Sequence, residues 1–261
     1  MTRQTKGIIL QKRDFRENDR LFVIYTEDLG KIEAVCRGAR KIKSKMAGHL
    51  DYFSVINFMF ASGRNYFQIA GAETENNFLK IKADLAKVVL CSYCAEIVDI
   101  FTRTGQPDKK IFALVKELFT IFEETEKKNV LTFYGITKFF ILKLLVVLGF
   151  SPELFYCVKC KNKIRPNKNF FNSILGGLVC EGCHKIRRNE EVMRDVQIST
   201  SAIKILRFAA KNDFQKLLIL KISKPQIVEV IKIINTFLLA HQDRELKSEA
   251  WVKKIIGHCL K

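Results

Sequence analysis

Four cysteines form the strongest chemical pattern in the sequence. Cys157 and Cys160 make one Cys-x2-Cys knuckle, and Cys180 and Cys183 make a second after 19 intervening residues. Two such knuckles can supply four thiolates to one tetrahedral ion, which leaves no open position for activating water. The spacing therefore predicts one structural Zn2+. A module that folds without metal and a redox dithiol pair are the alternatives, and His184 is interpreted as a surface residue.

Cys91 and Cys94 share the knuckle spacing, but no second knuckle accompanies them. They lie in a helical pattern in which residues i and i+3 share one apolar face, so we predict buried small side chains. Cys36 and Cys259 are interpreted in the same way. Eight cysteines without an apolar export signal in residues 1–12 indicate thiols or metal ligands in the cytoplasm. The longest uncharged apolar stretch, residues 144–152, is far shorter than the ~18 residues of a membrane span.

A run of cations without an acid occupies residues 37–45. Phosphate contacts need such clusters because each contact releases counterions, whereas a surface that serves only solubility intersperses acids. The run therefore favours nucleic acid over its alternative, a solvated loop. Its five cations are Arg37, Arg40, Lys41, Lys43 and Lys45. The predicted DNA-binding set adds Arg16, Arg20 and Lys31.

The cysteine region is also basic, which fits the overall net charge of +18. Three acids, Glu181, Glu190 and Glu191, offset it only in part. Zinc could thus hold a positively charged flap that serves as a secondary DNA-binding site. The predicted residues of this site are Lys159, Lys161, Lys163, Arg165, Lys168, Lys185, Arg187 and Arg188.

The sequence contains few patterns that are typical of catalytic sites. The sequence contains neither a GxxxxGK[ST] phosphate loop nor an HExxH pair. Its nearest carboxylate group, Asp14, Glu17 and Asp19, alternates with arginines, as in a salt-bridged turn. We therefore predict no catalytic residues and no enzymatic activity.

Short strands followed by helices predict an α+β protein with an N-terminal OB-type barrel. Tyr25, Phe58, Phe60, Tyr66 and Phe67 could stack bases, but each fits the core better because both faces of these strands are apolar. The predicted strands cover residues 5–12, 20–27, 31–37, 52–61 and 66–73. The predicted helices cover residues 82–104, 108–126 and 129–148, then 200–211 and about 223–242, with caps at Ser199 or Thr200 and at Ser223.

The order of several short stretches resembles the RecO family of bacterial recombinational repair proteins. Any one stretch is weakly specific, but together they cover nearly the whole chain. The stretches are KGIIL at 6–10, FRENDR at 15–20, TEDLGK at 26–31, RGAR at 37–40, LKLL at 142–145, LGFSP at 148–152, the Cys157/Cys160 knuckle, His241 and LKS at 246–248.

The resemblance implies an OB-fold domain at residues 1–78, a helical domain at 79–152 and 195–261, and an inserted zinc module at 153–194. It further implies a nucleoid-associated protein that binds single- and double-stranded DNA and anneals strands coated by the single-strand-binding protein SSB. RecR, the SSB C-terminal tail and, indirectly, RecA are the implied partners. Since some family members lack the cysteines, zinc is expected to support structure.

Two other function classes remain open from the sequence. A zinc-ribbon enzyme that modifies nucleic acid would need an open metal position or clustered carboxylates. A scaffold that binds only proteins could use the same cations to hold acidic tails.

Overall fold

The computed structural model describes residues 2–126, 129–186 and 195–257, and the chain folds into two compact units. Of the described residues, the first unit comprises 2–126, 129–133 and 246–257, and the second comprises 134–186 and 195–245. The division into three domains with changes at residues 78, 152 and 194 stays a prediction.

Five strands close into a barrel in the first unit, which confirms the predicted OB-type fold. Around the barrel the order is β1-β2-β3-β5-β4. Alternate residues of each strand fill the interior because successive side chains point to opposite faces. Phe22 and Ile24 on β2 lie opposite Ala34 and Ile32 on β3, and all four are buried. The strands are β1 (Thr2–Phe15), β2 (Asp19–Thr26), β3 (Gly30–Cys36), β4 (Val55–Ala61) and β5 (Phe67–Asn76).

The turn between β2 and β3 ends at Gly30, the first residue of β3. Gly30 has a φ of +67°, in the left-handed region that favours glycine. A Cβ atom at this position would lie 2.2 Å from the carbonyl oxygen of Gln106. The turn therefore requires glycine for both its backbone angle and its close approach.

The barrel closes where β3 meets β5, through a short parallel pairing. Only Ala34 with Phe67 and Val35 with Gln68 are paired there, whereas β2 pairs with β3 over the whole length of β3. The cationic run of residues 37–45 begins directly after β3, so it starts at this seam of the barrel.

The described helices include all five that were predicted, together with short ones that were not. Asp84 divides the helix predicted over residues 82–104, because its side chain accepts hydrogen bonds from the backbone N–H groups of Ala86 and Lys87. The helices are α1 (Leu79–Lys82), α2 (Leu85–Phe101), α3 (Lys109–Glu124), α4 (Val130–Val147), α5 (Glu181–Ile186), α6 (Thr200–Lys211), α7 (Phe214–Leu218), α8 (Lys224–His241) and α9 (Glu249–Ile256).

Helix α4 is apolar nearly all round and mostly buried. By length and composition alone it could cross a membrane, with a mean hydropathy of 1.9 over 18 residues. The uncharged stretch at residues 144–152 overlaps only the last residues of this helix, because Lys138 and Lys143 interrupt the apolar run in the sequence; Lys138 is itself buried in the fold. Since 72% of α4 is buried within the protein, it meets the description of a core helix equally well.

The second unit contains a small antiparallel sheet that the sequence did not predict. Its order is β7-β6-β8, formed by β6 (Asn169–Asn172), β7 (Gly177–Cys180) and β8 (Asp195–Ile198). Phe171 and Leu178, on adjacent strands, are buried. The caps of α6 and α8 are confirmed, since Ser199 accepts from the N–H of Ala202 and Ser223 forms a capping box with Gln226.

The isolated cysteines lie where the sequence predicted them. Cys36, Cys91 and Cys94 are all buried, and burial raises the pKa of the Cys36 and Cys91 thiols. They therefore act as small core residues. Cys259 lies outside the described residues.

Candidate metal centre and nucleic-acid interface

The four knuckle cysteines come together in one cluster in the second unit. The sulfur atoms of Cys157, Cys160, Cys180 and Cys183 all lie within 4.8 Å of one another. Cys160 Sγ lies 3.8 Å from Cys180 Sγ, which is close to the edge of roughly 3.8 Å expected for four sulfurs placed tetrahedrally at about 2.3 Å from zinc. The donor set and its spacing therefore fit a tetrathiolate metal ion.

Local turns and the end of a strand position the four cysteines so that their sulfur atoms converge in the cluster. In the first knuckle the backbone N–H of Lys161 donates to the carbonyl of Cys157 at 2.9 Å, and Lys161 has a left-handed φ of 60°. The second knuckle begins at the end of β7, which places Cys180 on the sheet and Cys183 on α5. A turn through Gly176, at a φ of +72°, returns the chain into β7.

The thiols of the cluster cannot ionise independently. Burial disfavours the Cys157 thiolate, but hydrogen bonds from backbone N–H groups outweigh burial and lower the Cys157 pKa to about 6. Burial, together with the neighbouring sulfurs, raises the Cys183 pKa to about 12. Four adjacent thiolates repel one another, so a cation is needed to hold all four in the ligating form.

His184 is part-buried beside the cysteine cluster, with its side chain 20% exposed. Its ring stacks on Phe170 with centroids 3.5 Å apart, and its Nδ1 lies 2.8 Å from Asp195 Oδ2. The histidine thus links α5 to β6 and β8 beside the cysteine cluster, and it is not a member of the four-ligand set.

The predicted secondary basic site surrounds the cysteine cluster. A cavity of about 660 Å3 lies there, and its cationic lining comprises Lys163, Arg165 and Lys185. Lys185 is paired with Glu181 at 2.8 Å, and the ammonium of Lys168 lies 5.9 Å from the centroid of the Phe170 ring. Lys159 and Lys161 are exposed. Arg187 and Arg188 lie outside the described residues.

The second candidate site is the segment of residues 37–45 in the first unit, here called the basic loop. Its cations Arg37, Arg40, Lys41, Lys43 and Lys45 are all exposed, as predicted. Among the described residues, no carboxylate oxygen lies within 4.0 Å of the charged groups of Arg37, Lys41, Lys43 or Lys45. The loop therefore presents four unpaired positive charges.

The turn between β1 and β2 fixes the start of the basic loop. The N–H of Arg40 donates to the carbonyl of Asn18 at 3.0 Å, and the N–H of Gly38 donates to Asp19 Oδ1 at 2.9 Å. The Arg40 guanidinium lies 3.3 Å from Asp14 Oδ2. The predicted salt-bridged turn is confirmed for Asp14 and Arg20 alone among the described residues. The turn also anchors the loop, which the sequence analysis did not anticipate.

The other three residues of the predicted DNA-binding set differ in how exposed and how engaged their charged groups are. Arg16 is exposed, and its guanidinium lies 5.2 Å from the centroid of the Phe15 ring. Arg20 lies 3.5 Å from Asp14. Lys31 is mostly buried and pairs with Asp99 at 3.0 Å, because β3 packs its side chain towards α2. Its ammonium is therefore engaged within the unit, and a role in DNA binding stays a prediction.

Phe58 and Phe60 belong to the barrel core, whereas Tyr25 is buried on the outer face of β2 and its hydroxyl donates to the carbonyl of Asp108 at 3.4 Å. Tyr25, Phe58 and Phe60 are at most 2% exposed, which confirms the core interpretation for these three. Tyr66 packs edge-on against Phe15 with centroids 5.5 Å apart. Base stacking on the three buried rings would require disrupting the packing around them, so the cationic loop, rather than these rings, offers the accessible contact.

Comparison with known proteins covers both units. The family model described as recombination protein O N terminal matches residues 1–78, and the one described as recombination protein O C terminal matches residues 82–250. A DNA repair protein RecO of Dehalococcoides mccartyi is 29% identical over 252 residues, 97% of this chain and 95% of the relative. A DNA repair protein RecO of Caldanaerobacter subterraneus is 29% identical over 255 residues, 97% of this chain and 98% of the relative.

Proposed function

The chain belongs to the recombination protein O family, and we propose that it acts in DNA repair and homologous recombination as a non-enzymatic mediator. In this proposal it binds single- and double-stranded DNA in the cytoplasm and anneals complementary strands coated by SSB. It then acts with RecR to promote the loading of RecA. The names of the relatives, which are DNA repair proteins, support the general role.

The observation that carries the proposal is the basic loop. Four exposed cations, which have no carboxylate partner among the described residues, stand on a fixed turn of a closed barrel. This arrangement suits contact with a row of phosphates. Phosphate contacts carry no sequence information, which fits a protein that must act on any pair of complementary strands. We propose that the loop is the main DNA contact.

One Zn2+ in the cysteine cluster is part of the proposal. The four sulfurs would hold the ion, and its contribution would be to fix the two knuckles and the sheet between them. With four thiolate ligands the ion would have no open position for substrate, which favours a structural role over the zinc-enzyme alternative. The cations around the cluster would form the secondary DNA site.

The second unit offers a feature suited to the acidic, hydrophobic-ended tail of SSB. Phe155 is partly exposed, and the charged groups of Arg207 and Lys211 lie 4.6 Å and 4.7 Å from its ring centroid. An apolar ring beside two cations can accept an apolar terminal residue together with its carboxylate. We propose this cluster as part of the SSB contact.

An annealing assay tests the proposed function most directly. Complementary strands coated with SSB are mixed with the protein in the absence of nucleotide, and duplex formation is followed with a fluorescent pair. We expect strand annealing that needs no nucleotide and weakens with salt. Annealing no faster than with SSB alone would contradict this function and favour the scaffold that binds only proteins. Metal-dependent turnover of the nucleic acid would favour the zinc-ribbon enzyme.

A further inference from the structure

One side chain of the basic loop does not fit a surface built only for phosphates. Ile42 has an exposure of 105%, and no other described hydrophobic residue is more exposed. The neighbouring apolar side chains of the same segment behave in the opposite way. Ala39 and Leu50 are buried, and Met46 packs against the barrel core. Within residues 37–50, Ile42 is thus the large apolar side chain that projects into solvent, while Ala39 and Leu50 are buried.

The exposure of Ile42 follows from a defined turn. The N–H of Ser44 donates to the carbonyl of Lys41 at 2.9 Å, so Ile42 and Lys43 occupy the two central positions of that turn. The N–H of Lys41 in turn donates to the carbonyl of Gly38 at 3.1 Å. Since Gly38 is itself held by Asp19, the loop positions Ile42 at its tip.

The surroundings of Ile42 indicate the class of its partner. The cations on both sides, Lys41 and Lys43, require an anionic surface, whereas the branched aliphatic side chain requires an apolar one. Nucleic acid offers both an anionic and an apolar surface, because its stacked base faces lie between rows of phosphates. A membrane also combines charge and apolar interior, but a single aliphatic residue gives little of the buried area that membrane anchoring needs.

The geometry points to Ile42 as an apolar wedge that enters between neighbouring bases of bound DNA and unstacks them. Aliphatic side chains inserted at base steps have this effect in other DNA-binding proteins. The inference rests on the proposed DNA-binding function and extends it. The lysines hold the backbone while the isoleucine separates bases, so that the unstacked bases are free to meet a complementary strand.

The test compares Ile42→Ser with Ile42→Leu and with Ile219→Ser, which removes another isoleucine that is 78% exposed but lies outside the loop. Each full-length variant is titrated into a single-stranded oligonucleotide that carries 2-aminopurine, whose fluorescence rises when the base unstacks. We expect the rise with the original chain, with Ile42→Leu and with Ile219→Ser. With Ile42→Ser the rise should fall by at least half, and affinity should fall roughly three- to tenfold. The dependence of affinity on salt should stay the same, because no cation is removed.

Two outcomes separate this inference from the function on which it rests. If Ile42→Ser binds and gives the same fluorescence rise as the original chain, the wedge is wrong while DNA binding stands. If the original chain does not bind the oligonucleotide at low salt, the proposed function fails as well. Loss of binding to phosphatidylglycerol vesicles in Ile42→Ser, with an unchanged 2-aminopurine response, would assign the side chain to a membrane and also overturn the wedge.

Discussion

Asp14 Oδ2 lies 3.3 Å from the guanidinium of Arg40, and the same carboxylate lies 3.5 Å from Arg20. One acid on the β1–β2 turn therefore neutralises part of the charge that the basic loop could offer to DNA. Of the five loop cations, Arg40 shares this carboxylate, and the other four have no carboxylate partner in the part of the chain that the structure describes.

We expect Asp14→Asn to strengthen DNA binding. The change frees Arg40 and Arg20 from their common carboxylate, so each new phosphate contact would steepen the plot of log affinity against log salt by about 0.7 on single strands. Glu17→Asn is the matched control, because Glu17 is exposed on the same turn and makes no described ion pair. Equal gains in the two variants would indicate a general effect of net charge rather than release of the arginines.

The triple variant Lys41→Ala, Lys43→Ala and Lys45→Ala should weaken binding to all sequences alike. Three lost phosphate contacts would reduce the salt slope by roughly 2 on single strands, and annealing should slow in parallel. Unfolding free energy should change by no more than about 0.5 kcal/mol per residue, because the three side chains face solvent.

A control triple variant at Lys204, Lys221 and Lys232 removes the same charge from exposed positions of the second unit. We expect it to leave the slope nearly unchanged. An unaltered slope in the folded loop variant would move the main DNA site elsewhere, with the basic cavity beside the cysteine cluster as the next candidate.

The cysteine cluster should carry one Zn2+ per chain, measurable by elemental analysis of protein purified without chelator. Cys160→Ser should lower zinc affinity at least tenfold and destabilise the second unit, because metal binding and folding of the site are linked. Cys91→Ala provides the control, since it removes a buried thiol outside the cluster and should keep the metal. Metal-free protein in which all knuckle thiols react freely in the native state would disprove the zinc assignment.

Acid sensitivity of the first unit should depend on Asp51. Burial alone would raise the Asp51 pKa, but Lys12 at 2.5 Å and Lys82 at 3.0 Å outweigh it and lower the pKa to about 2. The folded state holds the carboxylate more strongly than the unfolded chain, so its contribution is present above about pH 4 and is lost as pH falls towards 2.

Asp51→Asn should therefore flatten the loss of stability between about pH 4 and pH 2. At neutral pH we expect it to cost about 1 kcal/mol of unfolding free energy, since the carboxylate is over a third exposed and solvent screens the two pairs. Denaturant unfolding across this pH range provides the measurement, with Asp243→Asn as a control at an exposed position. Parallel pH profiles for Asp51→Asn and the original chain would contradict the assignment.

The barrel and the cysteine cluster could be predicted from the sequence because both depend on local spacing. Strand alternation near Ile32 and the two knuckles at Cys157 and Cys180 are visible within a few residues. The pairing of Lys31 with Asp99 could not be predicted, because the two residues are 68 positions apart and meet only when α2 packs on the barrel. The exposure of Ile42 depends on a turn whose anchor, Asn18, belongs to another strand connection.

The short pairing of β3 with β5 has a consequence for how the barrel opens. Two residue pairs, Ala34 with Phe67 and Val35 with Gln68, hold that edge, while the neighbouring edges are held along whole strands. Separating β3 from β5 breaks the fewest backbone hydrogen bonds, so the barrel's least protected amide protons should exchange with solvent deuterium there first. Such a local opening would leave the start of the basic loop attached to Asn18 and Asp19, so the seam could part on the β5 side while the loop cations keep their place beside the β1–β2 turn.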